Sequence, residues 1–543
     1  MHILNNERLT AFVLMLAVIL LILLDKSPLL SVVSATAAVT TTIATTSTTN
    51  PPTATPIKHL VVIYQENVAF DHYFATYPKA ANLDGEPRFS SSPNIPSING
   101  LTTAGLLTNN TNLANPFRLD RSQATLISLC NPDHDYTALQ KSFNGGLMDK
   151  FVENSGLRSQ KNCDPKLVMG YFDGNTVTAL WNYAQHYAMS DNFYSSIIGP
   201  SFPGHLNLVS GQTHGATPIN ITGYVANGTV IGDIPSIYDD CSVGKKTVIS
   251  MSGKNIGDLM NEKGISWGWF QGGFKPSGTS ADNKAVCGTA HMNIAGKNVT
   301  DYVVHHEPFQ YYKSTANPHH LPPPSAAMVG KTDQANHQYD LSDFWNAANI
   351  GNMPAVSFLK ASQYQTGHPG DSDPIDEQIF LVDTINHLQS LPQWNSTAII
   401  ITYDDSGGWY DHVMPPIISQ SNDPKYDSLV GSTGLCGHAL SVAYQDRCGY
   451  GARLPMLIIS PYSKVNYVDH TITDQSSILR FIEDNWDLGR IGNQSFDAKA
   501  GSITNMFDFS NSNSGYRANN NHLFLNPASG LEIQNATVDG RAK

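Results

Sequence analysis

Two short segments carry the side chains a hard cation requires. Glu66 and Asn67 stand side by side in Gln65-Glu-Asn-Val-Ala-Phe-Asp-His-Tyr-Phe74, and Asp404 and Asp405 in Thr402-Tyr-Asp-Asp-Ser-Gly-Gly-Trp-Tyr-Asp-His412. Carboxylate and carboxamide oxygens are the ligands that Mg, Ca and Mn accept. Adjacent carboxylates repel each other unless something positive lies between them, and two following glycines free the backbone around an ion. Each segment also has a plainer reading, a turn in which Asn67 bonds to backbone and a solvated acidic turn.

Between them lies Ile198-Gly-Pro-Ser-Phe-Pro-Gly-His205, a glycine and proline turn that leads into a helix-like stretch from Leu206 to Gly211. A hydroxyl at that point has two possible jobs. Ser201 either caps the helix or acts as a nucleophile activated by a metal, with the helix N-terminus holding a phosphoryl oxygen. Histidines complete the set: His134 in Pro-Asp-His-Asp-Tyr, His305 and His306 before Glu-Pro-Phe, and His368 in Thr-Gly-His-Pro-Gly. With 19 histidines in the chain, none of these stands out alone, and His412 and His470 read as structural.

The elements that must deliver these groups are legible as apolar runs. His59 to Tyr64, Ala355 to Leu359, Thr397 to Tyr403 and Leu454 to Ile459 have the continuous hydrophobicity of strands buried on both faces. Val177 to Ala188, Ile256 to Lys263, Leu341 to Ala348, Asp376 to Leu391 and Ser476 to Trp486 space their apolar residues at three and four, as helices do. The alternation implies an α/β domain with a central parallel sheet, whose ligand site lies outside the carboxyl ends of the strands. Glu66–Asn67 and Asp404–Asp405 each follow such a strand, so all four reach the same edge. Residues 84–133 and 219–323 carry few regular patterns and read as insertions around the pocket.

The chain has 543 residues, and its 32 Lys and Arg against 45 Asp and Glu give a net charge of -13. That balance argues against a nucleic-acid partner. An anionic substrate must therefore be attracted locally. The 14-residue apolar run Ala11 to Leu24, followed by Ala35-Thr36-Ala37, reads as a signal peptide over 1–37. Glu7 offsets Arg8 and the small-residue motif lies far from the run, so an uncleaved anchor, with membrane contact through this segment, stands as the alternative. Residues 38–56 are nearly all Thr, Ala, Ser and Pro, a spacer composition, and a polar extension covers 511–543. Six cysteines without a Cys-x-x-Cys pair fit disulfides in an exported protein, and proximity suggests Cys130 with Cys163, Cys241 with Cys287 and Cys436 with Cys448. Sequons at Asn109, Asn220, Asn227, Asn298, Asn395, Asn493 and Asn535 would be surface acceptors.

In motif order the chain resembles the phospholipase C and acid phosphatase family of phosphoesterases, with an alkaline phosphatase superfamily fold. The likeness runs from about Ile57 to Gly489 and rests on these motifs: Glu66-Asn67 with Phe70-Asp-His-Tyr-Phe74, Gly199-Pro-Ser-Phe-Pro203, His305-His306, Gly367-His-Pro-Gly370, Tyr403-Asp-Asp405 with Tyr410-Asp-His-Val413, and Ser477-Ile-Leu-Arg-Phe-Ile-Glu483. The resemblance implies a three-layer α/β/α sandwich with a mostly parallel sheet, in a catalytic domain over 57–510. It implies one divalent metal ion on Glu66, Asn67, Asp404 and Asp405. Oxygen ligands favour Mg, Ca or Mn, whereas related superfamily sites are similar to zinc sites. It further implies Ser201 as nucleophile, His134, His306 and His368 as catalytic histidines around the phosphate, and Asn67 and His305 as substrate contacts.

Ser201 stands where many phospholipase C members have Thr, and Asp405 where they have Glu, so the chain looks closer to the acid phosphatase branch. The expectation is a secreted or extracytoplasmic phosphoesterase that hydrolyses small phosphate monoesters through a phosphoserine. A phospholipase C cleaving phospholipid headgroups is the rival, with Trp267-Gly-Trp-Phe270 as its candidate apolar rim unless those rings are buried core. An inactive stalked surface protein is the rival from another class.

Overall fold

A computed structural model describes residues 52–156, 163–242, 245–419, 421, 425–427, 436, 446–510 and 521–534. The expected signal segment over 1–37, most of the spacer, much of the C-terminal extension and the Asn535 sequon lie outside the described residues.

Apolar, largely β-branched runs cannot leave either face in water, so they stack side by side under covering helices. Eight strands form one sheet: β1 (His59–Gln65), β2 (Ala188–Ser190), β3 (Trp267–Gln271), β4 (Gln338–Asp340), β5 (Val356–Lys360), β6 (Thr397–Tyr403), β7 (Met456–Ile459) and β8 (Tyr467–Asp469), in the spatial order β4-β3-β5-β1-β6-β7-β2-β8. Among these strands β7 alone runs against its neighbours, so the sheet is mostly parallel. Every residue of β6 is buried, which requires cover on both faces. Each of its isoleucines contributes on the order of 1.5–3 kcal/mol by leaving water.

The cover comes from helices α1 (Phe70–Phe74), α2 (Thr178–His186), α3 (Ser201–Ser210), α4 (Ile256–Lys263), α5 (Leu341–Asn349), α6 (Pro374–Ser390) and α7 (Gln475–Trp486). Helix α3 packs on α4 and α7, and α2 packs on α6, two separate groups that make the α/β/α layering. Caps define the ends of the longer ones. Asp373 accepts from the backbone N–H of Ile375 and Asp376 ahead of Pro374, and Asp474 and Ser477 form a reciprocal box at the start of α7. Among the described residues no helix is long and apolar enough to cross a membrane.

The structure decides two sequence readings. The stretch 219–323 holds the helix expected at Ile256–Lys263, α4, and adds the strand β3, which the apolar runs did not reveal. The Trp267 to Phe270 cluster lies within β3 with Trp267, Trp269 and Phe270 fully buried, so it is core and cannot form an apolar rim. Alternating Gly268 with three large rings hid a central strand from a pattern search based on aliphatic runs.

The three disulfides pair as proximity along the chain suggests: Cys130–Cys163, Cys241–Cys287 and Cys436–Cys448. The first joins Cys130, four residues before His134, to Cys163, and the second staples the 219–323 region. The six sequons within the described residues are all exposed.

Candidate active site

Register builds the site before any side chain is considered. Strands β1 and β6 pair in parallel from His59↔Thr397 to Gln65↔Tyr403, so the next residues, Glu66 and Asp404, leave adjacent strands at the same level. On the other side β5 pairs Leu359 with Ile63 and places Lys360 one step further on, at the same edge. Asn67 then turns sharply with φ 58°, a left-handed conformation that asparagine tolerates better than most side chains. Gly407, at φ 61°, sits so close that a Cβ would fall 2.4 Å from the Asn67 carbonyl oxygen.

Helix α3 brings the nucleophile candidate. Gly199 and Pro200 turn the chain so that Ser201 is the first helical residue, and all ten residues of α3 are buried. Gly204 permits this approach, because a Cβ there would lie 2.3 Å from the Asp404 carbonyl oxygen. The Phe202 N–H donates to Asp233 at 2.8 Å, which ties the first turn of the helix.

The hydroxyl lands among the predicted ligands. Ser201 Oγ donates to Glu66 Oε2 at 3.0 Å and lies 3.2 Å from Asn67 Oδ1 and 3.4 Å from Asp405 Oδ2. The Asn67 N–H donates to Asp404 Oδ1 at 2.8 Å. Glu66, Asn67, Ser201, Asp404 and Asp405 are each at most 1% exposed. Burial, reinforced by the Glu66 charge, pushes the Asp404 carboxyl up to about 8. Asp405 is pushed well above the carboxylate range by burial and then by Asp404. Three crowded carboxylates resist ionising together, and a cation among them removes that resistance.

The Asn67 amide tests whether a cation fits. Its oxygen lies 3.0 Å from Glu66 Oε2 and 3.2 Å from Asp404 Oδ1, oxygen facing oxygen, and a half-turn of the amide would offer hydrogens there instead. Two histidines decide between the orientations. His134 Nδ1 donates to the Pro132 carbonyl at 2.9 Å and His368 Nδ1 to the Pro369 carbonyl at 2.7 Å, so in the neutral rings both Nε2 atoms are lone pairs. Those lone pairs lie 3.2 Å and 3.1 Å from the amide nitrogen and take its two hydrogens. Burial lowers the His368 pKa and favours that neutral form. With Nδ1 of each ring spent on a carbonyl, the two histidines hold the amide oxygen toward the carboxylates, where five oxygens converge and a hard divalent cation fits.

A cleft of about 340 Å³ opens over this cluster, lined by His134, His305, His306, His368, Asp233 and Asn131 among others. All four histidines singled out from the sequence thus meet at one place. His305 Nε2 lies 3.8 Å from Asp233 Oδ2, and the His306 ring stands edge-on to it. His306 Nδ1 is 3.2 Å from Glu66 Oε1.

Three neighbours were not anticipated. Lys360 is fully buried and pairs with Glu66 Oε1. His205, one turn along α3 from Ser201, donates from Nδ1 to the Ser201 carbonyl at 2.8 Å and turns Nε2 toward Glu66 Oε1 at 3.6 Å. Asp233 caps the helix start. A charged residue ending the apolar run Val356-Ser-Phe-Leu-Lys360 was the signal for Lys360, the same pattern that marks Glu66 and Asp404. The i+4 spacing from Ser201 was the signal for His205.

Comparison with known proteins gives the family. Residues 57–489 match the Phosphoesterase family. Phospholipase C B of Mycobacterium tuberculosis is 26% identical over 491 residues, covering 87% of this chain and 81% of its own length. Non-hemolytic phospholipase C of Pseudomonas aeruginosa is 23% identical, over 84% of this chain and 58% of its own. The protein of that name from Burkholderia pseudomallei is 26% identical, over 79% and 55%. With its family matched along most of its length, the chain belongs to the phosphoesterase family and is a hydrolase of phosphoric ester bonds.

Proposed function

We propose that this phosphoesterase is a secreted, metal-dependent enzyme that hydrolyses small phosphate monoesters through a phosphoserine on Ser201. The observation that carries the reading is the Ser201 hydroxyl at the start of a buried helix, within 3.4 Å of three ligand-type side chains and beneath a histidine-lined cleft.

A divalent cation on Glu66, Asn67, Asp404 and Asp405 would polarise the phosphoryl group and favour the ionised serine. Ser201 Oγ, its proton released to solvent, attacks phosphorus in line, the Oγ–P bond forms as the ester P–O bond breaks, and the alcohol departs with a proton from a cleft histidine, which recovers one from the water of the second step. His134 and His368 fix the Asn67 amide through their Nε2 atoms. His305, half-buried at the mouth with Nε2 3.8 Å from Asp233, would contact the substrate and could protonate the leaving oxygen. Water then cleaves the phosphoserine, releasing phosphate and restoring the hydroxyl.

Two observations support a small polar substrate. The cleft is lined by histidine, asparagine and aspartate, with little beyond Pro132 and Val303 for an acyl chain to touch. The aromatic rings of β3, which a lipid-binding rim would have used, are buried in the core. The second reading, phospholipase C activity, draws on the names of the relatives. Three disulfides and the apolar N-terminal run support export.

The test is turnover of p-nitrophenyl phosphate, p-nitrophenyl phosphorylcholine and phosphatidylcholine vesicles, before and after chelation. The expected result is chelator-sensitive monoester hydrolysis, reduced at least about 1,000-fold in Ser201→Ala. Preference for the vesicles would replace this reading with phospholipase C, and full activity in Ser201→Ala would remove the phosphoserine.

A further inference from the structure

Glu66 has two carboxylate oxygens, and they face different company. Oε2 looks into the oxygen cluster with Ser201, while Oε1 looks the other way, toward His306 Nδ1 at 3.2 Å, His205 Nε2 at 3.6 Å and the Lys360 ammonium. The donor atoms of Glu66, His205 and His306 all lie within 4.8 Å of one another, and all three residues are buried. Two imidazoles and one carboxylate form a set that binds zinc-class cations.

The tautomer of His205 sharpens the point. Its Nδ1–H is committed to the Ser201 carbonyl, so Nε2 is a lone pair, fully buried and without a hydrogen-bond partner. The ring is fixed edge-on against Tyr64 and stacked on His306, with centroids 4.9 Å and 5.1 Å away, so it cannot turn that lone pair to water. Lys360 supplies the positive charge this pocket faces. Its ammonium reaches Glu66 Oε1 from the end of β5 and lies 5.4 Å over the Tyr64 ring.

We infer that Lys360 takes the place of a second metal ion: its ammonium fills the two-histidine, one-carboxylate site formed by Glu66, His205 and His306, and so makes this phosphoesterase mononuclear. Charge supports the assignment. Glu66, Asp404 and Asp405 bring three negative charges, Lys360 cancels one, and the remaining two match one divalent cation. With Lys360 removed the same residues hold one more negative charge and an open nitrogen-rich pocket.

The inference rests on the proposed ligand set, and metal counting separates the two. Wild-type protein and the Lys360→Met and Lys360→Arg variants are stripped with chelator, reloaded with excess Zn²⁺, desalted and analysed for bound zinc per chain, alongside calorimetric titration. The expected result is about one zinc in wild type and Lys360→Arg, two in Lys360→Met, and one again in Lys360→Met/His306→Ala. One zinc in folded Lys360→Met, or two in wild type, overturns the inference while leaving the ligand reading intact. No bound cation in wild type defeats the ligand reading itself. If Lys360→Met does not fold without metal, recovery of native circular dichroism on adding Zn²⁺, with two ions retained, is the expected outcome, and failure to recover overturns the inference.

Discussion

Two buried acidic clusters grow from the same pair of strands and meet opposite fates. Glu66 and Asp404 follow β1 and β6 directly, whereas Asp71 and Asp411 lie a few residues further along the same two connections. In the second cluster Arg453 grips Asp411 with two bonds of 3.0 Å and reaches Asp71 at 3.4 Å, while His412 Nδ1 donates to Asp71 at 2.5 Å. Burial pushes Asp71 upward, yet His412 and Arg453 bring its pKa below the usual value. Asp411 is raised by burial with Arg453 pulling it back. Two carboxylates thus meet two groups able to carry positive charge, all supplied by the fold. In the first cluster three carboxylates meet one lysine and two histidines, His205 and His306, whose pKa burial pushes well down, so that Lys360 is left as the counter-charge; both aspartates are raised by burial and by each other or Glu66. Under the proposed metal reading, buried acids with internal counter-charges are structural, and those left short of positive charge would receive the external cation.

The sharpest way to break this contrast is to neutralise one member of each cluster. Asp404→Asn is expected to lower turnover by about 100- to 1,000-fold and to weaken cation binding. It should leave the stability of the chelated protein unchanged or higher, since it removes a buried carboxyl that must otherwise take up a proton on folding. Arg453→Met should do the reverse. Stranding Asp71 and Asp411 in the interior costs about 3–5 kcal/mol, read by denaturant unfolding of the chelated protein. Cation affinity should be preserved in whatever fraction remains folded. If Arg453→Met were as stable as wild type, the division into structural and functional acids would fail.

Most of the site could be read from sequence because it depends on chain order. A strand delivers its next residue to the sheet edge, so Glu66, Asn67, Asp404 and Asp405 could be placed once β1 and β6 were recognised. The turn into a helix at Gly199-Pro-Ser201 offered Ser201 as one of two readings, and the family resemblance chose between them; the four histidines needed that resemblance, since nothing local in Pro-Asp-His-Asp or Thr-Gly-His-Pro says which histidines converge. The groups that were missed, Lys360, His205 and Asp233, act through contacts that arise only on packing: a neighbouring strand, a helix turn and a distant cap. The central strand β3 escaped because glycine between aromatic rings breaks the aliphatic pattern. The antiparallel direction of β7 was hidden for a different reason, since an apolar run has no sign of direction.

The smallest expected effect, and the finest test of the comparison, is how each cluster answers to pH. Asp404 binds a proton in the folded, chelated protein up to about pH 8, while in the unfolded chain it loses that proton near 4. Between those values the folded state holds more protons, so this group's share of stability falls as pH rises and is fully spent above 8. The cluster around Arg453 has two components. Asp71, with its lowered pKa, loses stability only on strong acidification. His412, raised above its ordinary value by Asp71 despite burial, adds stability below about 6.5 that is lost as pH climbs through its folded pKa. Its contribution overlaps the Asp404 window but does not depend on a cation. The melting temperature of chelated protein should therefore drop by a few degrees between pH 5 and pH 8, and saturating divalent cation, by replacing the proton on Asp404, should remove part of that drop. The remainder belongs to His412 and other buried groups and should survive in Asp404→Asn, in which the cation-dependent part disappears. Equal slopes with and without cation would show that the Asp404 carboxyl does not exchange its proton for a metal.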